Sequence, residues 1–145
     1  CLGGDVALLP AVDRFVVGLA SFLLGHVAFV VAFVLVGLDR PWFAVPAVIG
    51  ALGVCLTVGR RVVAGARTSD PGLVGPVLAY LVVISSMAVF GWASGIAAAI
   101  VGSTAFVVSD SILGWSIFVD RRRWMPLAVM VTYHLALGGL ALAFG

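Results

Sequence analysis

Five apolar runs, residues 15–36, 42–59, 73–91, 94–118 and 124–144, dominate the 145-residue chain. Each is close to the roughly 20 residues that a helix needs to cross a bilayer. In lipid every backbone N–H and C=O must be satisfied within the protein, so such runs become helices or closed barrels. Barrel strands would alternate polar and apolar positions over roughly 9 to 11 residues. These runs do neither, and the expected fold is all-α, a polytopic transmembrane helical bundle in a single membrane domain. Composition agrees: 63% of residues are hydrophobic and 10% charged, against about 45–50% and 25% in soluble domains.

The chain begins at Cys1, and residues 1–9 read as the last turns of a span whose beginning is missing. Pro10 and the Asp13-Arg14 pair are expected to separate this remnant from the first complete span. Residues 37–41 form a short turn, and residues 59–71 read as the longest connection, with three arginines and the helix-start sequence Ser69-Asp70-Pro71. Neither a repeat nor a soluble second domain is visible. Cys1 and Cys55 have no CxxC spacing, and no signal peptide is recognisable.

All eight basic residues are Arg, and the net charge of +2 offers nothing to a nucleic acid. Arg14, Arg60, Arg61, Arg67 and Arg121 to Arg123 fall in alternate connections, with Arg40 alone on the other side. The positive-inside rule makes the first group cytoplasmic. Trp42 and Trp124 stand at span ends, where amphipathic rings favour the interface.

Asp110 is the only charge in its run. An Asp at the bilayer centre costs about 2.5–3.5 kcal/mol on insertion scales, so such residues face a bundle interior or a wet cavity and mark function. Counting from the cytoplasmic markers, Asp5 lies nine residues before Arg14, Tyr80 ten after Asp70, Asp110 ten before Asp120 and Tyr133 ten after Arg123. At a rise of about 1.5 Å per residue, all four sit roughly 14–15 Å inside. His26 and His134 fall slightly deeper. The expected result is a polar layer opening toward the cytoplasmic leaflet. Most of the glycines in the runs are expected to be packing sites, since small residues let helices approach closely in lipid.

Taken in order, these residues resemble the lysoplasmalogenase-like YhhN family of multi-pass membrane proteins. The resemblance rests on Gly4-Asp5, on Gly18-Leu19 with Phe22 and His26, and on Pro76 and Tyr80 with Ile84 and Met87. It continues through Gly102, Ala105-Phe106 and Ser109-Asp110-Ser111 to Tyr133 and Ala136. Phe29 stands where family members tend to carry Tyr, and Leu137 where a Gln commonly follows the alanine. The family's usual set of about eight helices implies that this chain lacks N-terminal ones.

The resemblance implies hydrolysis of the vinyl ether of a lysoplasmalogen to a fatty aldehyde and glycerophosphoethanolamine or glycerophosphocholine, in a bacterial cell membrane. The hard step is protonation of a vinyl carbon, which needs a neutral acid. An apolar setting with a second carboxylate nearby favours the uncharged form of one of the two. Asp110 is expected to be the acid and Asp5 its ionised partner, as in paired-carboxylate glycoside hydrolysis. His26, Tyr80, Ser109 and Tyr133 are the expected orienting or substrate-binding groups. The expected partners are a lysophospholipid and membrane lipid, with no metal or cofactor. Arg60, Arg61 and Arg121 to Arg123 are candidates to meet the phosphate head.

Two other readings remain open. His26, His134, Asp5 and Asp110 could supply a metal-dependent lipid hydrolase, although no HExxH spacing exists. The same Asp and His residues could instead form the relay of a proton-coupled transporter.

Overall fold

A computed structural model describes residues 16–145 in full, together with the helical assignment of α1 from Leu2. The break expected at Pro10 and Asp13-Arg14 does not occur, since α1 is one helix from Leu2 to Val36 and takes in the leading remnant; the side chains of residues 2–15, Asp5 among them, lie outside the described residues. Among the described residues six α-helices follow one another: α1 (Leu2–Val36), α2 (Ala44–Val54), α3 (Arg60–Ser69), α4 (Val74–Ala93), α5 (Ala97–Phe118) and α6 (Met125–Phe144). Among the described residues, five helical segments are long and apolar enough to cross a membrane: Val16–Val36, Pro41–Ser69, Pro71–Ala93, Ala97–Phe118 and Met125–Phe144. The protein is an integral membrane helical bundle.

A second boundary also departs from the expectation. The second span does not end at Gly59; a π turn (Cys55–Gly59) joins α2 to α3, and the helix runs on to Ser69. The segment expected to be a loop is an amphipathic helix. Val62 and Ala66, one turn apart, are buried against Leu73 and Val77, while Arg60, Arg61 and Arg67 face outward. Burial of that Val/Ala stripe stabilises helix where the arginines and Gly65 suggest a turn. Gly65 is there for contact: a Cβ on it would lie 2.0 Å from the Phe118 carbonyl oxygen. The helix stops as expected at Asp70, whose Oδ1 accepts from the Gly72 N–H at 2.8 Å and whose extended backbone turns the chain into Pro71.

α4 lies centrally, packed against α1, α2 and α5, and α5 pairs most closely with α6. The α5–α6 seam is built on glycine. A Cβ on Gly102 would sit 2.8 Å from the Leu140 nitrogen, and one on Gly139 would sit 2.8 Å from the Gly102 Cα. Gly138, one position away, has open space on its Cβ side. The core formed around this seam contains Phe33, Ile84, Met87, Ala99, Phe106, Ala136 and Leu140. The Ile84–Met87 stripe near Tyr80 is therefore core packing. At the other end of the bundle from Arg60, the Arg40 N–H bonds the Ala93 carbonyl at 3.0 Å, and its side chain lies over Gly95, which turns with φ +73°.

These contacts predict that Gly139→Ala destabilises the protein by about 1–3 kcal/mol through overpacking, whereas Gly138→Ala is close to neutral. Thermal denaturation in detergent checks this. Equal melting temperatures for the two variants would contradict the close α5–α6 approach.

Candidate functional site

α1, α4 and α5 bring His26, Tyr80 and Asp110 to one point. Asp110 is 9% exposed and His26 2%. The Tyr80 hydroxyl donates to Asp110 Oδ2, and His26 Nε2 stands 3.6 Å from the same oxygen. Tyr80 lies on the α4 face that also carries Ile84 and Met87, so packing of that stripe into the core points its hydroxyl inward.

The tautomer of His26 follows from its other nitrogen. Nδ1 lies 2.6 Å from the Phe22 carbonyl oxygen one turn back. A carbonyl only accepts, so Nδ1 carries a hydrogen and donates it. In the neutral ring Nε2 is then a lone pair directed toward the carboxyl. At 3.6 Å it is beyond hydrogen-bond range. Among the described residues it is the buried side-chain nitrogen or oxygen atom without a hydrogen-bond partner. The imidazole is held edge-on by Tyr80 and Phe106, with ring centroids 5.5 and 4.7 Å away. Phe106, one turn before Asp110 on α5, is 3% exposed and acts as the wall behind the histidine.

Asp110 and Tyr80 border a cavity of about 500 Å³ lined by α1, the continuous α2–α3 helix, α4 and α5. Its walls are almost wholly apolar, with Gly18, Phe22, Ala47, Val62, Ile84 and Phe118 among them. Besides Tyr80 and Asp110, the side chains of Cys55, Ser85, Trp92, Thr104 and Ser111 interrupt this lining. The space runs from Phe118, near the arginine-rich end, to Trp92, whose indole N–H donates to Thr104 at 3.0 Å. A long hydrocarbon chain fits such a space, and Asp110 meets it part of the way along.

The remaining expected site residues fall in different places. Tyr133 touches the edge of the cluster through Phe106 and Phe22, at centroid distances of 5.6 and 6.4 Å, without lining the cavity. Ser109 is 1% exposed and donates to the Val129 carbonyl on α6 at 3.3 Å. It fastens α5 to α6 and is not presented to the cavity, because adjacent helical positions point about 100° apart. His134 is exposed, with Nδ1 2.7 Å from the Met130 carbonyl oxygen. Leu137, the departure from the family pattern, is also exposed and lies away from the cavity lining. Asp5 lies outside the described residues. The described residues bring together no group of three or more His, Cys, Asp or Glu side chains. Thr57 and the π turn went unread in the sequence. The Thr57 hydroxyl donates to the Gly53 carbonyl at 2.6 Å in that stretch, and no sequence pattern distinguishes it from ordinary helix.

Comparison with known proteins agrees with the residue pattern. The family model described as "YhhN family" matches residues 1–144, and the chain belongs to that family. No curated protein and no solved structure matches the chain.

The Tyr80–Asp110 contact predicts strong coupling. In a double-mutant cycle of Tyr80→Phe and Asp110→Ala, unfolding in detergent should show an interaction of about 1–3 kcal/mol, as for a buried hydrogen bond to a charged or polar partner. Additive effects would show that the two side chains do not meet.

Proposed function

We propose that the protein hydrolyses the vinyl ether of a lysoplasmalogen, with Asp110 as the acid. One observation supports this reading, which the resemblance to the lysoplasmalogenase-like YhhN family suggests: the intramembrane carboxyl of Asp110, gripped by Tyr80 and faced by His26, borders an apolar cavity that suits an alkenyl chain. Such residues in a span are functional by default, because their burial is costly.

In the proposed reaction a proton passes from the Asp110 carboxyl to the vinyl carbon beta to the ether oxygen. The positive charge that develops is shared between the alpha carbon and that oxygen. Water adds to the alpha carbon and gives up a proton, forming a hemiacetal. Collapse breaks the bond between the alpha carbon and the glycerol oxygen, which takes a proton, and fatty aldehyde and glycerophospho-alcohol leave. One water is consumed and the acid is restored.

Oδ2 already accepts from Tyr80 and faces His26, which leaves Oδ1 to hold the transferable proton. Tyr80 fixes the carboxyl orientation, and proper positioning of an acid is worth about 10²–10⁴-fold. The unpartnered Nε2 of His26 can take up the proton that water releases by way of Asp5 and pass it to Asp110, which restores the acid. Asp5 is the proposed second carboxylate that steadies the cation and takes the proton from water. Hydrocarbon walls keep the tail in place and limit water to the reacting end.

Aldehyde release from a lysoplasmalogen by the full-length protein in detergent tests the reading. Asp110→Asn should lower release at least 100-fold, Asp5→Asn should abolish or severely reduce it, and His26→Gln should lower it about tenfold or more, each at matched folding. Loss in Asp110→Asn with full activity in Asp5→Asn would transfer the water-activating role to His26. No release by well-folded wild type with any head group would overturn vinyl ether hydrolysis.

A further inference from the structure

A second concavity of about 650 Å³ lies between α2–α3 and α4. Its body is hydrocarbon, formed by Val48, Leu52, Leu78, Val82, Val89 and Phe90. One end carries Arg60 and Arg67, both exposed. They lie seven residues apart with Ala64 between them on the same exposed stripe of α3, so two guanidinium groups flank a small residue. Ion pairs among the described residues join His26 to Asp110 and Arg122 to Asp120, and Arg61 lies over the Trp115 ring at 5.4 Å. Neither Arg60 nor Arg67 has a protein anion among the described residues. An apolar trough ending on two guanidiniums that meet no carboxylate among the described residues is complementary to a lipid with a phosphate head, and arginine suits phosphate geometry.

The groove and the Asp110 cavity share a wall. Ala51, Cys55, Gly59, Leu81 and Ser85 line both. Across this wall the Cys55 sulfur meets the Ser85 hydroxyl at 3.7 Å, and Gly59 packs on Leu81. Two small polar side chains and a glycine make a thin seam, and the α2 side of it is the π turn (Cys55–Gly59). Such turns are irregular helix, often found at functional sites. A seam of this kind parts with less loss of packing than one of interlocked large side chains.

We propose that this groove is the doorway by which a phosphate-bearing single-chain lipid passes from the membrane to the Asp110 cavity, its phosphate held by Arg60 and Arg67 and its tail crossing at the Cys55–Ser85 seam. The proposal rests on the reading above only in taking the Asp110 cavity as the destination. The lipid enters sideways from the leaflet, so its tail never crosses water. The phosphate stays at the arginine-rich end while the chain swings inward.

The seam can be locked. Ser85→Cys places a second thiol beside Cys55, within reach of a disulfide. The probe is an alkyl lysophosphatidylethanolamine with a saturated ether and a diazirine at its tail, added to the full-length protein in detergent. After irradiation, adducts on α1 and α5 report entry, because those helices line the cavity and not the groove. Reduced Ser85→Cys should be labelled there like the native chain. Copper-phenanthroline oxidation should cut α1 and α5 adducts at least tenfold, leave α4 groove adducts in place, and be reversed by dithiothreitol. The native chain, oxidised in the same way, should not change.

Arg60→Gln with Arg67→Gln should weaken labelling by the phosphate probe about tenfold and spare a diazirine alkylglycerol, with recovery in the double Lys variant. Unchanged α1 and α5 labelling in the locked protein would overturn the doorway, as would a Gln double variant that labels like the native chain. A Gln double variant labelled by neither probe and not rescued by Lys would show that the arginines serve folding and not phosphate. The probe has no vinyl ether, so the expected labelling alongside no aldehyde release would count against the reaction alone.

Discussion

Everything in this bundle is arranged around the cost of one carboxyl group inside a membrane. Asp110 is tolerated because Tyr80 donates to it, His26 faces it, and both come from different helices. That requirement fixes α1, α4 and α5 at one depth. The α5–α6 glycine seam does the rest: Gly102 and Gly139 draw the helices so close that Phe106 is pressed behind His26. A purely structural hydrogen bond would not need the carboxyl to border a 500 Å³ cavity, nor leave Nε2 without a partner. Position, partners and space together are the basis of the proposed chemistry.

The spans were legible because apolar run length is a direct physical readout of bilayer thickness. The polar layer was legible for a related reason. Counting from charged markers converts sequence into depth, and it set Tyr80 and Asp110 at one level, where they meet. What escaped has equally physical causes. Arg60 to Ser69 looked like a loop because charge and Gly65 suggest exposure; the Val62/Ala66 stripe that makes it a helix is only two residues wide. Ser109 adjoins Asp110 in sequence but faces α6, since a single step along a helix changes the face. The π turn leaves no compositional trace, and the groove depends on which faces α2, α3 and α4 leave unpaired.

The helix that replaced the expected loop also changes the electrostatics. Arginines on a flexible connection would only report topology. On α3 they are held at fixed spacing beside an apolar trough, with Arg60 two turns from Arg67. In the proposed doorway, lipid affinity and access to the carboxyl both depend on this one amphipathic helix. The two concavities, joined by a seam of small side chains, suit a substrate whose tail belongs in hydrocarbon and whose head does not.

The most direct test of the central claim, proton delivery from Asp110 to carbon, is hydrolysis of a lysoplasmalogen in deuterium oxide, with the isotope content of the released aldehyde read by mass spectrometry. Unlabelled aldehyde added in parallel measures background exchange. The account predicts one deuterium on the carbon next to the aldehyde in wild-type product and no such product from Asp110→Asn. Aldehyde released without deuterium, or formed at the wild-type rate by Asp110→Asn, would contradict it.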